Sequence, residues 1–323
     1  MKGVILDSQT LNLPELDSAA LEAELPHWTR YTQTSPTELQ SRLQGITVAV
    51  TNKVVIDRAA IEASPDLKLI CISATGINNV DLDAARERGI VVCNVSGYGT
   101  ASVAQHTLAL MLGLATRWHQ YDRDAHAGAW SRSPMFCRMD YPVMELQGKV
   151  LGLIGHGDLG RRVGELAAAF GMTVKVAASL RPGADPAGRT PLPELLAEAD
   201  VISLHCPLTE QTQGLVNDQF LAAMKPGAFL INTARGPLVD EPALARALRD
   251  GVLGGAALDV LSQEPPPADH PLLAADLPNL IITPHSAWVS RESRQRLLDG
   301  VLGNIRAWKA GRPSNVVNGI ESA

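Results

Sequence analysis

The segment Gly152-Leu153-Ile154-Gly155-His156-Gly157-Asp158-Leu159-Gly160 constrains the fold of this chain more than any other. It ends an apolar run, residues 150–154, that reads as a strand, and it opens an amphipathic stretch, residues 161–170, that reads as a helix. A G-x-G-x-x-G loop between a strand and a helix is a dinucleotide-binding fingerprint. Gly155 permits the tight turn, Gly157 lets backbone approach a pyrophosphate, and Gly160 lets helix pack on strand, while the helix amino terminus offers N–H donors to phosphate. His156, Asp158 and Leu159 complete the loop and are expected beside the cofactor. A glycine-rich turn without a ligand is the plain alternative, but strand, loop, helix and next strand arrive in the order that binding requires.

The same alternation runs through the whole chain. Short β-branched runs at residues 4–6, 47–50, 68–72 and 90–93 are separated by helix-like stretches, and a second series follows at 150–154, 173–177, 201–204, 228–231, 254–258 and 280–282. Strands alternating with helices predict an α/β chain with two Rossmann-like domains and parallel sheets. At 323 residues the length also suits two domains of about 150 residues each. A long helix is expected over residues 100–117, with Thr100 or Ser102 as its cap, bridging the domains. The last helix-like stretch, 292–309, follows the sixth strand of the second series, so the terminal residues return to the first domain. The expected division is a substrate domain split between 1–98 and 288–323, and a dinucleotide-binding domain at 99–287. Residues 182–193 and 265–271 read as surface loops.

Composition excludes several classes of function. With 28 basic and 34 acidic residues, net −6, the chain has no global positive field for nucleic acid or an anionic membrane. Four dispersed cysteines, Cys71, Cys93, Cys137 and Cys206, with no CxxC pair, argue against a zinc site or a disulfide framework, so no metal is expected and a reducing compartment, the cytosol, is. No signal-peptide core or long uncharged apolar stretch is present. Aromatics are scarce, yet Trp118, Tyr121, Trp130, Phe136 and Tyr141 cluster with Met135 and Met139. That cluster is either a satellite core under a long loop or, the favoured reading, the interface of a homodimer.

Cofactor choice turns on the residues after the strand at 173–177. An acid about 20 residues beyond the glycine loop normally accepts hydrogen bonds from the adenosine ribose, and here Ala178-Ser179-Leu180-Arg181 stands instead. No carboxylate repels a 2′-phosphate, and Ser179 and Arg181 suit one, so NADP is the expected preference. Arg181 as a solvated loop residue, with NAD used in the absence of the acid, is the alternative.

Three ionisable residues follow the ends of strands in the second series: Arg235, Glu264 and His285. Ligands of α/β sheets bind at this end. The fork of a guanidinium grips a carboxylate, so Arg235 can orient an α-keto acid; an imidazole at His285 can exchange the proton of the carbonyl oxygen; and Glu264 can fix that ring through its other nitrogen. Taken singly, each has a bland reading as a cap, a surface residue or a loop start. Of the other histidines, His27, His119, His126 and His270 stand in polar or loop-like context, and His106 lies within the long helix.

Four segments resemble the D-isomer-specific 2-hydroxyacid dehydrogenases over nearly the whole chain. Ala74-Thr75-Gly76-Ile77-Asn78-Asn79-Val80-Asp81, then Cys93-Asn94-Val95-Ser96-Gly97-Tyr98-Gly99-Thr100 with Val103-Ala104-Gln105-His106, and Thr283-Pro284-His285-Ser286-Ala287-Trp288, are similar to the glycerate dehydrogenase or hydroxypyruvate reductase branch. The glycine loop and the Arg235, Glu264, His285 series match the family's cofactor loop and catalytic triad in order. The resemblance implies reduction of a small 2-keto acid, hydroxypyruvate or glyoxylate, to the D-2-hydroxy acid by a reduced nicotinamide. It implies that backbone donors around Thr75, Gly76 and Ile77 help Arg235 hold the substrate carboxylate, with Asn52 and Lys53 flanking the same cleft and Trp288 bordering the substrate or packing between domains. It also places Asp259 near the nicotinamide carboxamide and Thr233 and Ala234 along the cofactor; Cys206 and Pro207, just after the strand at 201–204, join that set. Connections near residues 98–100 and 287–291 are expected to act as hinges for closure. A dinucleotide-sensing corepressor and oxidation of formate or phosphite, both served by this fold, are the alternatives.

Overall fold

The computed structural model describes residues 1–181, 183, 187–273 and 276–320. The chain divides into two compact units, Met1–Gly99 with Val289–Ala323, and Thr100–Trp288. Both are α/β, and every strand pair within each sheet is parallel.

In the first unit five strands, β1 (Lys2–Ile5), β2 (His27–Arg30), β3 (Val48–Thr51), β4 (Leu69–Ile72) and β5 (Val91–Cys93), stand in the order β2-β1-β3-β4-β5. The three inner strands are buried at nearly every position, as parallel strands covered on both faces must be. Sequence reading misses β2, because an edge strand of His, Trp, Thr and Arg lacks the apolar run that marks its neighbours. Its Trp28 packs where Gly3 leaves room: a Cβ on Gly3 would lie 2.6 Å from the indole. The chain terminus returns here. Val316 forms an antiparallel bridge with Cys93, and the Asn318 side chain accepts from Val92 N–H and donates to Ile90 O.

The second unit has six strands, β6 (Val150–Ile154), β7 (Thr173–Val176), β8 (Val201–Leu204), β9 (Phe229–Asn232), β10 (Gly255–Leu258) and β11 (Leu280–Ile282), in the order β11-β10-β9-β8-β6-β7. One apolar layer, with Leu195, Leu196, Leu230 and Leu244, covers one face of this sheet; another, with Leu108, Met111, Val163 and Ala167, covers the other. Chain order reverses at β6, so β7 and β8 flank it and a crevice opens at the carboxyl ends of β6 and β8.

Several expectations change. Ser102 does not cap the helix Thr100–Thr116; it sits inside the first turn and donates to Ala287 O. The expected loop 182–193 is shorter, because Thr190 bridges to Ala177 and a helix begins at Leu192; its residues 182 and 184–186 lie outside the described residues. The aromatic segment is no satellite core: Phe136 is 91% exposed, and Trp118, Trp130, Met135, Met139 and Val143 are also exposed. Hydrophobic side chains without a covering layer cannot act as a core. His270, expected in a polar loop, is buried with its Nε2 3.0 Å from Glu241 Oε2.

Candidate active site

The glycine loop is built by contacts that exclude side chains. Gly155 has φ +97°, and a Cβ there would lie 2.5 Å from the backbone of His205 and Cys206. A Cβ on Gly160 would lie 2.3 Å from Gly155 O, so the helix Asp158–Ala169 could not approach the turn. Gly157 differs: nothing lies within 4 Å of its Cβ position, and it caps the helix with no side chain taking up the first-turn donors. Open space over uncapped N–H groups fits a pyrophosphate. Asp158 is paired with Arg161, Leu159 is half-buried and His156 is exposed. Partial loss of hydration, and then the guanidinium groups of Arg189 and Arg161, hold the His156 imidazole below its usual range although the residue as a whole is exposed.

Around this cradle, Cys206 is buried and Pro207 exposed at the end of β8. His205 Nε2 bonds Ser203 Oγ at 2.8 Å, its Nδ1 has no partner among the described residues, and burial pushes its pKa down to about 4. Thr233 Oγ1 lies 3.1 Å from Thr107 Oγ1, and Ala234 N–H donates to Asn232 Oδ1. Beyond β7, Ser179 and Arg181 are exposed, and Arg181 N–H donates to Ser179 Oγ.

Three loops at the carboxyl ends of adjacent strands β9, β10 and β11 form a connected chain. The buried Asn232 side chain accepts from Ala234 N–H and donates to Arg235 O, which shapes the turn carrying Arg235. The Arg235 guanidinium is exposed apart from a 2.7 Å bond to Ala234 O. Gly236 presses on the next loop, where its Cβ would fall 2.0 Å from Leu261 backbone. Leu261 N–H donates to Glu264 Oε1 at 2.9 Å, and Glu264 Oε2 lies 2.6 Å from His285 Nδ1. With Nδ1–H held by the carboxylate, Nε2 is left for proton exchange; among the described residues it has no hydrogen-bond partner.

His285 adopts φ +50°, a left-handed conformation costing an L-residue roughly 1–2 kcal/mol. Asp259, 2% exposed, holds the loop in that shape. Its Oδ1 accepts from Thr283 Oγ1 at 2.5 Å and Ser286 N–H at 2.9 Å, its Oδ2 from Ala287 N–H at 3.0 Å, and its backbone carbonyl from His285 N–H at 2.8 Å. A hydroxyl has one proton, and Thr283 gives its own to Asp259, so His106 Nε2, 2.9 Å away, must be the donor in that contact. Sequence reading misses this bracing, because its partners lie 24 and 177 positions apart along the chain. Glu241 braces the neighbouring loop in the same way, accepting from Ser262 N–H, Ser262 Oγ and His270.

In the first unit, Asn52 is buried, Lys53 and Thr75 are exposed, and Gly76 and Ile77 are half-buried. Thr75 Oγ1 donates to Val95 O, and Asn94 Nδ2 to Thr75 O. The loop 52–54 is clamped from both sides. The buried Asp7 carboxylate accepts from the N–H groups of Asn52, Lys53 and Val54, and Asn79 Nδ2 donates to the carbonyls of Asn52 and Val54. Asp7 had no signal in the sequence beyond following a strand. Trp288 is half-buried at the end of the second unit.

A dinucleotide cradle and a histidine–carboxylate pair at the carboxyl edge of one sheet define a nicotinamide-dependent oxidoreductase. The model of the D-isomer specific 2-hydroxyacid dehydrogenase NAD binding domain matches residues 108–287. The chain is 43% identical over 318 residues to the glycerate dehydrogenase of Methylorubrum extorquens, covering 98% of each. It is 41% identical to the hydroxypyruvate reductase of Blautia hydrogenotrophica, covering 98% of this chain and 100% of that one. Among solved structures it is similar to an acyclic imino acid reductase in complex with NADPH and D-Arg, with TM-score 0.84 and 30% identity over 98% of this chain and 100% of that one. The chain belongs to the D-isomer-specific 2-hydroxyacid dehydrogenases.

Proposed function

We propose that the protein reduces a small 2-keto acid, hydroxypyruvate or glyoxylate, to the D-2-hydroxy acid, with NADPH as the preferred reductant. The observation that carries this reading is the 2.6 Å contact between His285 Nδ1 and Glu264, on a loop against which the Arg235 turn is packed. When bound, the reduced nicotinamide supplies a hydride to the carbonyl carbon. The alkoxide oxygen that develops needs a proton, and His285 Nε2 gives it, while Glu264 holds the ring by its far nitrogen. Arg235 orients the substrate by gripping its carboxylate. Thr75, Gly76, Ile77, Asn52 and Lys53 also serve the substrate carboxylate, and Trp288 borders the substrate. Gly155, His156, Gly157, Asp158, Leu159 and Gly160 take the pyrophosphate side of the cofactor, with Cys206, Pro207, Thr233 and Ala234 along its nicotinamide half and Asp259 near the carboxamide, its own carboxylate taken up by the His285 loop.

The NADPH preference rests on Ala178 where an acid would repel a phosphate, and on Ser179 and Arg181 beside it. The protein works as a cytoplasmic homodimer in this reading; the exposed aromatic segment and four free cysteines support it, and among the described residues no helix is long and apolar enough to cross a membrane. Recovery of native protein with a membrane or exported fraction would refute that location. The experiment for the activity is a keto-acid panel with both reduced nucleotides. His285→Ala is expected to lose most turnover while binding nucleotide as the parent does; retained turnover would refute the acid role, and a higher kcat/KM with NADH would refute the cofactor preference.

A further inference from the structure

We propose that Arg189, the residue before a one-residue bridge to the end of β7, is a second guanidinium for the 2′-phosphate of the adenosine ribose, and so a specificity-determining residue. The inference rests on the reading that Ser179 and Arg181 receive a phosphorylated ribose, and it adds a residue ten positions from Ser179.

The placement comes from register. Thr190 N–H donates to Val176 O and Ala178 N–H to Thr190 O, both at 2.8 Å, so the chain returns as a one-residue parallel bridge along the outer edge of β7. Side chains alternate across a strand. Ala177 packs with Leu195 and Leu196 on one face, while Val174 and Val176 pack on the other against Val163 and Ala167 of the helix that begins at the glycine loop. Residue 189 is one step from Thr190, so it emerges on the face of Val176 and Ala178. That is the face where a ribose-binding acid at position 178 would stand.

Arg189 is half-buried, whereas residues 187 and 188 are exposed. Among the described residues it has no hydrogen bond and no ion pair, in contrast to Arg161 on the neighbouring helix, which is paired with Asp158. A guanidinium partly removed from water, with no partner among the described residues, is an arrangement that an anion would relieve. Its effect on His156 places its charge within electrostatic reach of the cradle. A phosphate monoester, dianionic near neutrality and rich in acceptors, suits the planar fork better than any neutral hydroxyl would.

The test compares Arg189→Ala, Arg189→Gln and Arg189→Lys with the parent enzyme. Dissociation constants for NADPH and NADH are read by nucleotide fluorescence, and inhibition constants for 2′,5′-ADP and 5′-AMP from steady-state kinetics. Losing a charge-assisted contact is expected to weaken NADPH and 2′,5′-ADP about 10- to 100-fold in the Ala and Gln variants. NADH and 5′-AMP should shift less than about threefold, which also certifies that the variants are folded, and Lys should restore some of the loss. Equal weakening of phosphorylated and unphosphorylated ligands, or no change in either, would overturn the role of Arg189. The parent's own NADPH-to-NADH ratio tests the cofactor preference separately, since the ratio must fall in the variants whichever nucleotide the parent prefers.

Discussion

Asp259→Asn separates two accounts of the buried aspartate. If its work is to brace the His285 loop, the variant loses rate without losing nucleotide. The carboxylate accepts from one hydroxyl and two backbone N–H groups, at 2.5, 2.9 and 3.0 Å. An asparagine keeps one acceptor oxygen but turns N–H toward at least one of those donors, and bonds that had a charged acceptor become neutral. One buried donor left unsatisfied costs about 1–3 kcal/mol, and weakening the others about 1 kcal/mol more, so a loss of about 3 kcal/mol in stability is expected. The loop can recover some of that by relaxing His285 from its left-handed conformation. The ring then shifts, and misplacement by about 1 Å is worth on the order of 100-fold in rate. Urea unfolding, kcat with saturating keto acid, and nucleotide binding by fluorescence give the three readouts. The expected pattern is a lower midpoint, kcat down about 100-fold, and nucleotide affinity within about threefold of the parent. A kcat within twofold of the parent would refute the brace, and an affinity loss as large as the rate loss would assign the carboxylate to the cofactor instead.

His205 gives the stability of the second unit a sign with pH. Its folded pKa, about 4, lies below the ordinary 6.5, so the stability it permits is fully present above about pH 6.5 and is lost as pH falls toward 4, because only the unfolded chain takes the proton. The slope from one such group is at most about 1.4 kcal/mol per pH unit; His205→Gln should flatten urea midpoints between pH 6.5 and 4.5, and an unchanged slope would sink the assignment. The aromatic segment makes a prediction about mass. The parent should scatter light as twice the 34.4 kDa chain, and Phe136→Glu, a charge at the most exposed of these apolar side chains, should return it to the single-chain mass; a monomeric parent or an unaffected dimer would refute the interface.

What the sequence made legible follows the range of the interactions that produce it. Local signals are written in consecutive residues: the glycine turn, where Gly155 and Gly160 each exclude a methyl group, and the apolar runs of the inner strands can be read without a partner in view. Side chains at the ends of strands are legible for a different reason. A parallel sheet gathers its carboxyl ends on one edge, so Arg235, Glu264 and His285 could be grouped by topology although 50 positions separate the first from the last. Edge strand β2 escaped because it is held by pairing with β1 and by Trp28 packing over Gly3, contacts between residues with no periodic signature. The braces escaped more completely. Asp7 reaches a loop 45 to 47 positions away and Asp259 a loop 24 to 28 positions away, and an aspartate after a strand looks the same whether it meets a ligand or backbone N–H groups. Residues that touch a ligand are constrained in chemical type, whereas residues that hold them in place are constrained in position, and position is what a one-dimensional reading lacks. Arg189 lies between these cases: its chemistry suits an anion at sight, but only the hydrogen bonds of Thr190 to β7 give it a face.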